Sequence, residues 1–422
     1  MTFALGIDIG TSGIRTAVLD EAGTLISTMR ADHAPQDPQR IDAEFWWQTV
    51  RTCLCAQVKA LKDKGHNPSA VARIAVDGTS GTMVLTDANL RPVSRALMYN
   101  SKGFESEANL IAKNAPRNHI TQGTNSALAR AMRLISECAS TDIYLLHQAD
   151  FIAAKLTRQV GISDHNNALK TGYDPEQECW PDWFEAVIDH KVLPKALPVG
   201  TPIAELDKLV AQDIGLDAAS LVCVGTTDSV AAFLAAAPYE MGVAVTSLGS
   251  TLAVKMLSPH RVDDIGIGLY SHKLGQAWLL GGASNTGGAV LLEHFTPEQM
   301  TKLSAKIDPS TPTGLDFYPL ARPGERFPIN DPKLQPRMAP RPQSDVIFLQ
   351  ALFEGIANIE AKCYHEIEAR SGGFPKKIFS AGGGSQNPIW TEIRAKALRQ
   401  TPLDAKYAEA AVGAAKVAQL IA

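Results

Sequence analysis

The chain has 422 residues, enough for two hydrophobic cores and too many for one ordinary domain. Hydrophobic residues supply 45% of it and charged residues 20%, and the formal net charge of −4 lacks the basic excess that nucleic acid or an anionic membrane surface would demand. No apolar run reaches bilayer-spanning length, the start MTFALGIDIG carries no cationic leader, and six cysteines in so long a chain make no disulfide framework, so a cytoplasmic protein acting on a small molecule is expected.

The first thirty residues read as an antiparallel meander. Phe3 to Ile9 is a strand, Gly10-Thr11-Ser12-Gly13 a turn, Ile14 to Leu19 a second strand, and Asp20-Glu21-Ala22-Gly23 turns into a third. Asp42 then stands as an N-cap before Trp47, Val50, Leu54, Val58 and Leu61, whose spacing of three and four predicts a helix ending near Gly65. Val71 to Val76 returns as a strand into Asp77-Gly78-Thr79-Ser80-Gly81. Helical stretches are expected over Ser126–Ala139 and Tyr144–Leu156. Leu221 to Val224 is a strand, followed by Gly225-Thr226-Thr227-Asp228-Ser229 and an apolar helix from Val230.

At mid-chain, Val243 to Leu248, the turn Gly249-Ser250-Thr251 and the strand from Leu252 echo the opening hairpin; aligning Gly10 with Gly249 sets Asp8 against Ser247. Such an echo suggests two lobes of like topology. Asp308 to Arg341, dense in Pro and Gly but too apolar for disorder, reads as an irregular segment packed on a surface. The remainder predicts a long helix over Val346–Arg370, a strand over Lys377–Ala381, the turn Gly382-Gly383-Gly384, and a helix opening at Asn387-Pro388. A short strand near Leu403 and a final helix from Glu409 close the chain.

Four of these turns could carry chemistry. In Asp8-Ile9-Gly10-Thr11-Ser12, backbone N–H groups and hydroxyls are available to phosphate oxygens, the carboxylate can hold Mg²⁺ through water, and Arg15 reaches back over the turn toward a γ-phosphate; a plain hairpin with a turn-capping Asp is the competing reading. The loop Thr246 to Thr251 offers the same hydroxyl-and-glycine chemistry without a carboxylate. The consecutive glycines before Asn387 let a base or ribose lie on the backbone, and do not fit the spaced glycines of a dinucleotide fold. Asp228, at a helix start, is either a cap or a general base taking the proton of an attacking hydroxyl. His165, in Asp164-His165-Asn166-Asn167, either lines a pocket or sits in a turn. No P-loop is present.

Taken in order, DIGTSGIR, GTTDS, TSLGST, AGGGSQN and the closing Glu409-Ala410-Ala411-Val412-Gly413-Ala414-Ala415 resemble the FGGY carbohydrate kinases, over nearly the whole chain. The stretches Ile74 to Thr82, His165 to Tyr173, Tyr270 to Gly275, Leu279 to Gly288 and Arg322 to Pro328 look most like the short D-ribulose kinases of cyanobacteria and plastids. The resemblance implies the actin-like ATPase (ribonuclease H-like) α/β fold, with duplicated mixed-sheet lobes flanked by helices. It implies an N-terminal sugar-binding and catalytic lobe over 1–235, with a helix of about 408–422 packed back on it, and a C-terminal nucleotide-binding lobe over 236–407.

It also implies roles. Asp228 falls on the catalytic Asp, and Asp8 on the carboxylate that serves Mg²⁺ and, in the short type, lies against the sugar. Ser80 matches a sugar-contacting serine; Thr11, Ser12 and Arg15 match the first phosphate loop; Gly249, Ser250 and Thr251 match the second; Gly383, Gly384 and Asn387 match the adenosine motif. The second loop reads SLGST where many members have a GTS-type turn, which unsettles the γ-phosphate contacts. The expected reaction moves the γ-phosphate of ATP, with Mg²⁺, to the terminal hydroxyl of a ketopentose, D-ribulose first and D-xylulose second. A sugar-independent actin-like ATPase and a silent sugar sensor are the rivals from other classes. Nothing in the sequence specifies an oligomeric state.

Overall fold

The computed structural model describes residues 2–34 and 36–420. The chain divides into two compact units. The first runs through Ala235 and takes in His272–Gly275 and the segment from Glu409; the second comprises Ala236–Ser271 and Gln276–Ala408.

In chain order the strands are β1 (Phe3–Gly10), β2 (Gly13–Asp20), β3 (Leu25–Asp32), β4 (Val71–Gly78), β5 (Met83–Thr86), β6 (Tyr144–His147), β7 (Ile162–Asp164), β8 (Lys195–Leu197), β9 (Pro202–Glu205), β10 (Leu221–Thr227), β11 (Val243–Leu248), β12 (Leu252–Ser258), β13 (Tyr270–Leu274), β14 (Ala277–Ser284), β15 (Lys377–Ala381) and β16 (Leu403–Asp404). The first sheet has the order β3-β2-β1-β4-β10-β9 and the second β13-β14-β12-β11-β15-β16. β1 pairs antiparallel with β2 and parallel with β4, and β11 pairs antiparallel with β12 and parallel with β15. The two hairpins that echo one another in sequence therefore hold equivalent places in two sheets built to one plan. Each unit has its own core. Ile7, Ile9 and Val76 pack with Trp46 and Leu54 of the helix Ala43–Asp63 in the first; Leu248, Leu252 and Val254 pack with Phe353 and Ile356 of the helix Asp345–Ser371 in the second.

The helix starts follow their capping residues. The Asp42 side chain accepts from Glu44 N, Ser126 from Ala129 N, and Asn387 from Trp390 N behind Pro388. One element departs from expectation. Tyr144–His147 is a strand paired with β5, and the helix begins only at Gln148. Four residues, three of them buried, are too few for a period, and pairing with Met83–Thr86 satisfies their backbone; the His147 N–H then donates to Asp150 Oδ2 at 3.1 Å and closes a capping box. Asp308–Arg341 is irregular, as expected, with Phe317, Leu320 and Phe327 buried. Among the described residues no helix is long and apolar enough to cross a membrane.

The helix Ala410–Gln419 lies on the first unit, and the last two residues of the helix expected from Glu409 fall outside the described residues. Its approach is backbone to backbone. A Cβ on Gly6 would stand 2.0 Å from Ala411 O, and one on Gly413 would stand 1.8 Å from Ala231 O. Lys416 Nζ donates to the Leu234 carbonyl at the end of the helix Asp228–Ala236. Gly413→Ala tests this seat. Alanine gains about 1 kcal/mol of helix propensity, but overpacking against a backbone oxygen that cannot rotate away costs about 1–3 kcal/mol. A net fall in the urea unfolding midpoint is expected, and an unchanged or raised midpoint would refute the close seat.

Candidate active site

The site of the first unit grows out of strand register. β1 and β4 run parallel with Asp8 opposite Asp77, and β10 runs parallel to β4 with Thr226 opposite Asp77. Gly225 makes the last approach possible, since a Cβ there would lie 1.7 Å from Val76 O. Asp228 is the first residue of the next helix, and its Oδ1 accepts from Ser229 N at 2.7 Å. Three carboxyl groups are thereby gathered at the C-terminal ends of three parallel strands, where open α/β sheets bind their ligands.

Arg15 Nη1 is 3.3 Å from Asp8 Oδ2, and Arg15 Nε is 3.1 Å from Glu409 Oε2, so the guanidinium expected to face phosphate is held over Asp8 by a residue at the far end of the chain. Thr11 and Ser12 form the exposed two-residue tip between β1 and β2. The His33 ring bonds the Thr11 carbonyl oxygen at 2.8 Å through Nε2 and fixes the tip.

Asp77 is fully buried, and neither of its oxygens is reached by a protein donor. Two carboxyls side by side can bond only by sharing a proton. Burial, then the charges of Asp8 and Asp228, hold the Asp77 carboxyl well above the usual carboxylate range, so Asp77 keeps the proton and donates it to Asp8. Asp8 is also raised, by burial first, with the Asp77 bond and Arg15 opposing.

This arrangement has a pH signature. A folded pKa above the unfolded value means that the stability Asp77 contributes is complete below the unfolded pKa of about 4 and is lost as pH rises through the folded pKa. Asp77→Asn is neutral throughout, so urea unfolding in EDTA without nucleotide should show the variant gaining on the wild type as pH rises above about 4. Parallel stability profiles would show that Asp77 is ionised in the native state.

Ser80 follows in a pinned loop. Thr79 donates to Gln148 Oε1 from N at 2.9 Å and from Oγ1 at 2.7 Å, Thr79 and Thr82 hydroxyls bond at 2.7 Å, and Gly81 takes a positive φ of 80°. The Ser80 Oγ atom is buried without a protein partner.

In the second unit, Gly249, Ser250, Gly383, Gly384 and Asn387 line one cavity of about 690 Å³, with Trp390, Phe353, Leu291 and Met300 supplying apolar wall. Thr251 lies in the adjoining turn and outside that lining. The Gly249 and Ser250 carbonyls accept from Gly288 N at 2.9 Å and Ala289 N at 3.1 Å, which fixes the turn's shape. Gly384 must be glycine, since a Cβ would stand 2.7 Å from the Trp390 ring. Asn387 donates to Ser304 Oγ at 2.8 Å, closing the far wall.

A buried ion pair not anticipated from sequence sits beneath this cavity. Arg394 Nε and Nη2 donate to Glu360 at 2.7 and 2.8 Å, both side chains at most 1% exposed, and Glu360 Oε1 also accepts from Thr246 Oγ1 at 2.6 Å. In the sequence Asp77 likewise stands out only as part of a turn. The signal for it is that an Asp stands near the end of both apolar strands, followed within two residues by a closing glycine, in Phe3–Gly10 and Val71–Gly78. Among the described residues no cluster of three or more His, Cys, Asp or Glu is spaced to hold a metal ion.

Two sheets of one plan, a carboxylate hairpin in the first and a glycine-lined cavity in the second, define a two-lobed α/β protein of the actin-like ATPase type. The chain belongs to the FGGY family of carbohydrate kinases: the family's N-terminal domain matches residues 3–235 and its C-terminal domain residues 244–422. It is 24% identical over 420 residues to a xylulose kinase of Lactococcus lactis subsp. lactis (strain IL1403), covering 94% of this chain and 83% of the relative. Among solved structures, a xyloylose kinase from Brucella ovis superposes with a TM-score of 0.86 at 21% identity, covering 99% of this chain and 90% of that one. A Plasmodium falciparum glycerol kinase with ADP superposes with a TM-score of 0.85 at 17% identity, covering 99% and 89%.

Proposed function

We propose that this carbohydrate kinase transfers the γ-phosphate of ATP to the terminal hydroxyl of a ketopentose, D-ribulose in the first place. The observation that carries the reading is the convergence of Asp8, Asp77 and Asp228 at the strand ends of the first unit, within a chain whose two halves match the two domains of one sugar-kinase family. Asp228 takes the proton of the attacking hydroxyl as the bond to phosphorus forms. Thr11, Ser12 and Arg15 on one loop and Gly249, Ser250 and Thr251 on the other bind the phosphates, Ser80 and Asp8 the sugar, and Gly383, Gly384 and Asn387 the adenosine. The roles divide by lobe, 1–235 with the C-terminal helix for sugar and 236–407 for nucleotide.

Mg²⁺ asks for one or two carboxylates and otherwise takes water and phosphate oxygens. Asp8, half-balanced by Arg15 and bonded to a protonated neighbour, fits that demand without a protein cage. The ion would neutralise charge on the transferring phosphoryl group. The carboxylates of Asp8 and Asp228 make the site hostile to an anionic acceptor such as a sugar acid, and so favour a neutral polyol or ketose.

D-ribulose rests on the likeness of Ile74–Thr82 and His165–Tyr173 to the short ribulose kinases, while the match to xylulose kinases favours D-xylulose. A coupled assay of ADP release with ATP, Mg²⁺ and each of the four ketopentoses decides between them. ADP release that ignores sugar would sink the kinase reading.

A further inference from the structure

We propose that Asn166, with His165 beside it, reads the hydroxyl configuration of the acceptor sugar; this rests on the kinase reading above and goes beyond it by naming what sorts the epimers. Both residues open the helix His165–Thr171, and both are buried, at 0% and 2% exposure. Asn166 Nδ2 donates to Thr226 Oγ1 at 3.1 Å and to the Lys273 carbonyl at 2.9 Å. Thr226 is the register neighbour of Asp77 and stands two residues before Asp228. The amide is thus bolted to the strand that leads into Asp228, while its other edge, Oδ1, has no protein partner. His165 presents the same condition: its ring stacks on Tyr173 at 5.6 Å and 28°, and its Nδ1 is buried without a partner.

A buried polar atom left unpaired is costly, so proteins leave few of them. Here Asp77, Ser80, His165 and Asn166 all carry one. Asp77 and Ser80 lie at the end of β4, and Asn166 is tied to β10 alongside it. A ligand rich in hydroxyl groups, each both donor and acceptor, answers such a set.

The side chains are held for the task. Asp164 Oδ1 accepts from Asn166 N at 2.7 Å and Asn167 N at 3.0 Å, and its Oδ2 accepts from Asn167 Nδ2 at 2.6 Å. Behind it, His147 bonds Ser163 Oγ at 3.1 Å through Nδ1 and Thr171 Oγ1 at 2.8 Å through Nε2, bracing the short helix on both sides. Burial, with Lys273 nearby, keeps His165 below the ordinary histidine range, so at neutral pH the ring is uncharged and can donate or accept. Preorganised groups that must pair with a ligand reject the epimer that leaves them unpaired.

The test measures kcat/KM for D-ribulose, D-xylulose, L-ribulose and L-xylulose, which differ only in configuration at C3 and C4. It compares the wild type with Asn166→Ala, His165→Ala and the conservative His165→Asn, each with its thermal midpoint and its sugar-induced shift of that midpoint. The expected result is a fall of about tenfold in the ratio between best and worst epimer for the alanine variants, with partial rescue by His165→Asn. An equal loss with all four sugars and an unmoved ratio would overturn the inference while leaving the kinase reading intact. If the alanine variants fail to fold, the ratio in His165→Asn decides, and no change there overturns it. A wild type that neither releases ADP in response to, nor is shifted by, any of the four sinks the proposed function and this inference with it.

Discussion

Replacing Asp228 with alanine is expected to lower sugar-dependent ADP formation by roughly two to four powers of ten, the loss typical of removing a general base. The residue is the first of a helix that follows directly on β10, and its own Ser229 N–H holds one carboxylate oxygen at 2.7 Å, so the group is fixed before substrate arrives. Asp77 beside it holds its proton more tightly than an ordinary carboxyl does, through burial and the charges of Asp8 and Asp228, which eases the repulsion among the three groups. Asp228→Asn preserves shape and removes basicity, and should match the alanine variant in turnover while keeping the nucleotide-induced rise in melting temperature. If either variant retained most of the wild-type turnover, Asp228 would be a helix cap and nothing more.

The second large effect falls on stability. Arg394→Leu leaves the Glu360 carboxylate in a core position, fully buried and still tied to Thr246. Breaking a buried pair by removing one partner costs about 3–5 kcal/mol, whereas replacing both is often neutral. Urea unfolding of the single variant should therefore show a loss of that order, and the double variant Arg394→Leu with Glu360→Leu should recover most of it. The consequence reaches function because of where the pair sits. Thr246 belongs to β11, which leads into the Gly249 turn, and Arg394 belongs to the helix Pro388–Leu398, which Asn387 opens. The pair ties together two walls of the cavity proposed to take adenosine, so on that proposal the single variant should also lose affinity for ADP, read as a smaller ligand-induced shift in melting temperature. A loss below about 1 kcal/mol with unchanged nucleotide response would mean that the unit tolerates the buried charge by rearrangement.

Much of this was legible from the chain alone, and for local reasons. The Asp8 hairpin, the Gly249 hairpin and the glycine run before Asn387 are each written within about ten residues, as an apolar run that ends in glycines and hydroxyls. Their echo across mid-chain foreshadowed two sheets of one strand order. Helix starts at Ala43, Ala127 and Pro388 followed from capping residues that act over one turn. Tyr144–His147 misled for the same reason: four residues joined to a helix have no period of their own, and only the distant strand Met83–Thr86 decides their state.

The sequence by itself determined the inventory: which strand ends in a carboxylate, which turns are glycine-rich, which Asp opens a helix, and the order in which they come. Only the tertiary structure decided which of these groups share surroundings. Parallel register sets Asp8 against Asp77 and Asp77 against Thr226, joining segments some 70 and 150 residues apart. That proximity raises the Asp77 carboxyl above the usual range, and a hydrogen bond to Thr226 ties Asn166 to the strand that leads into Asp228. Protonation and pairing depend on burial and on neighbouring charge within a few ångströms, and neither is a property of a residue's position along the chain.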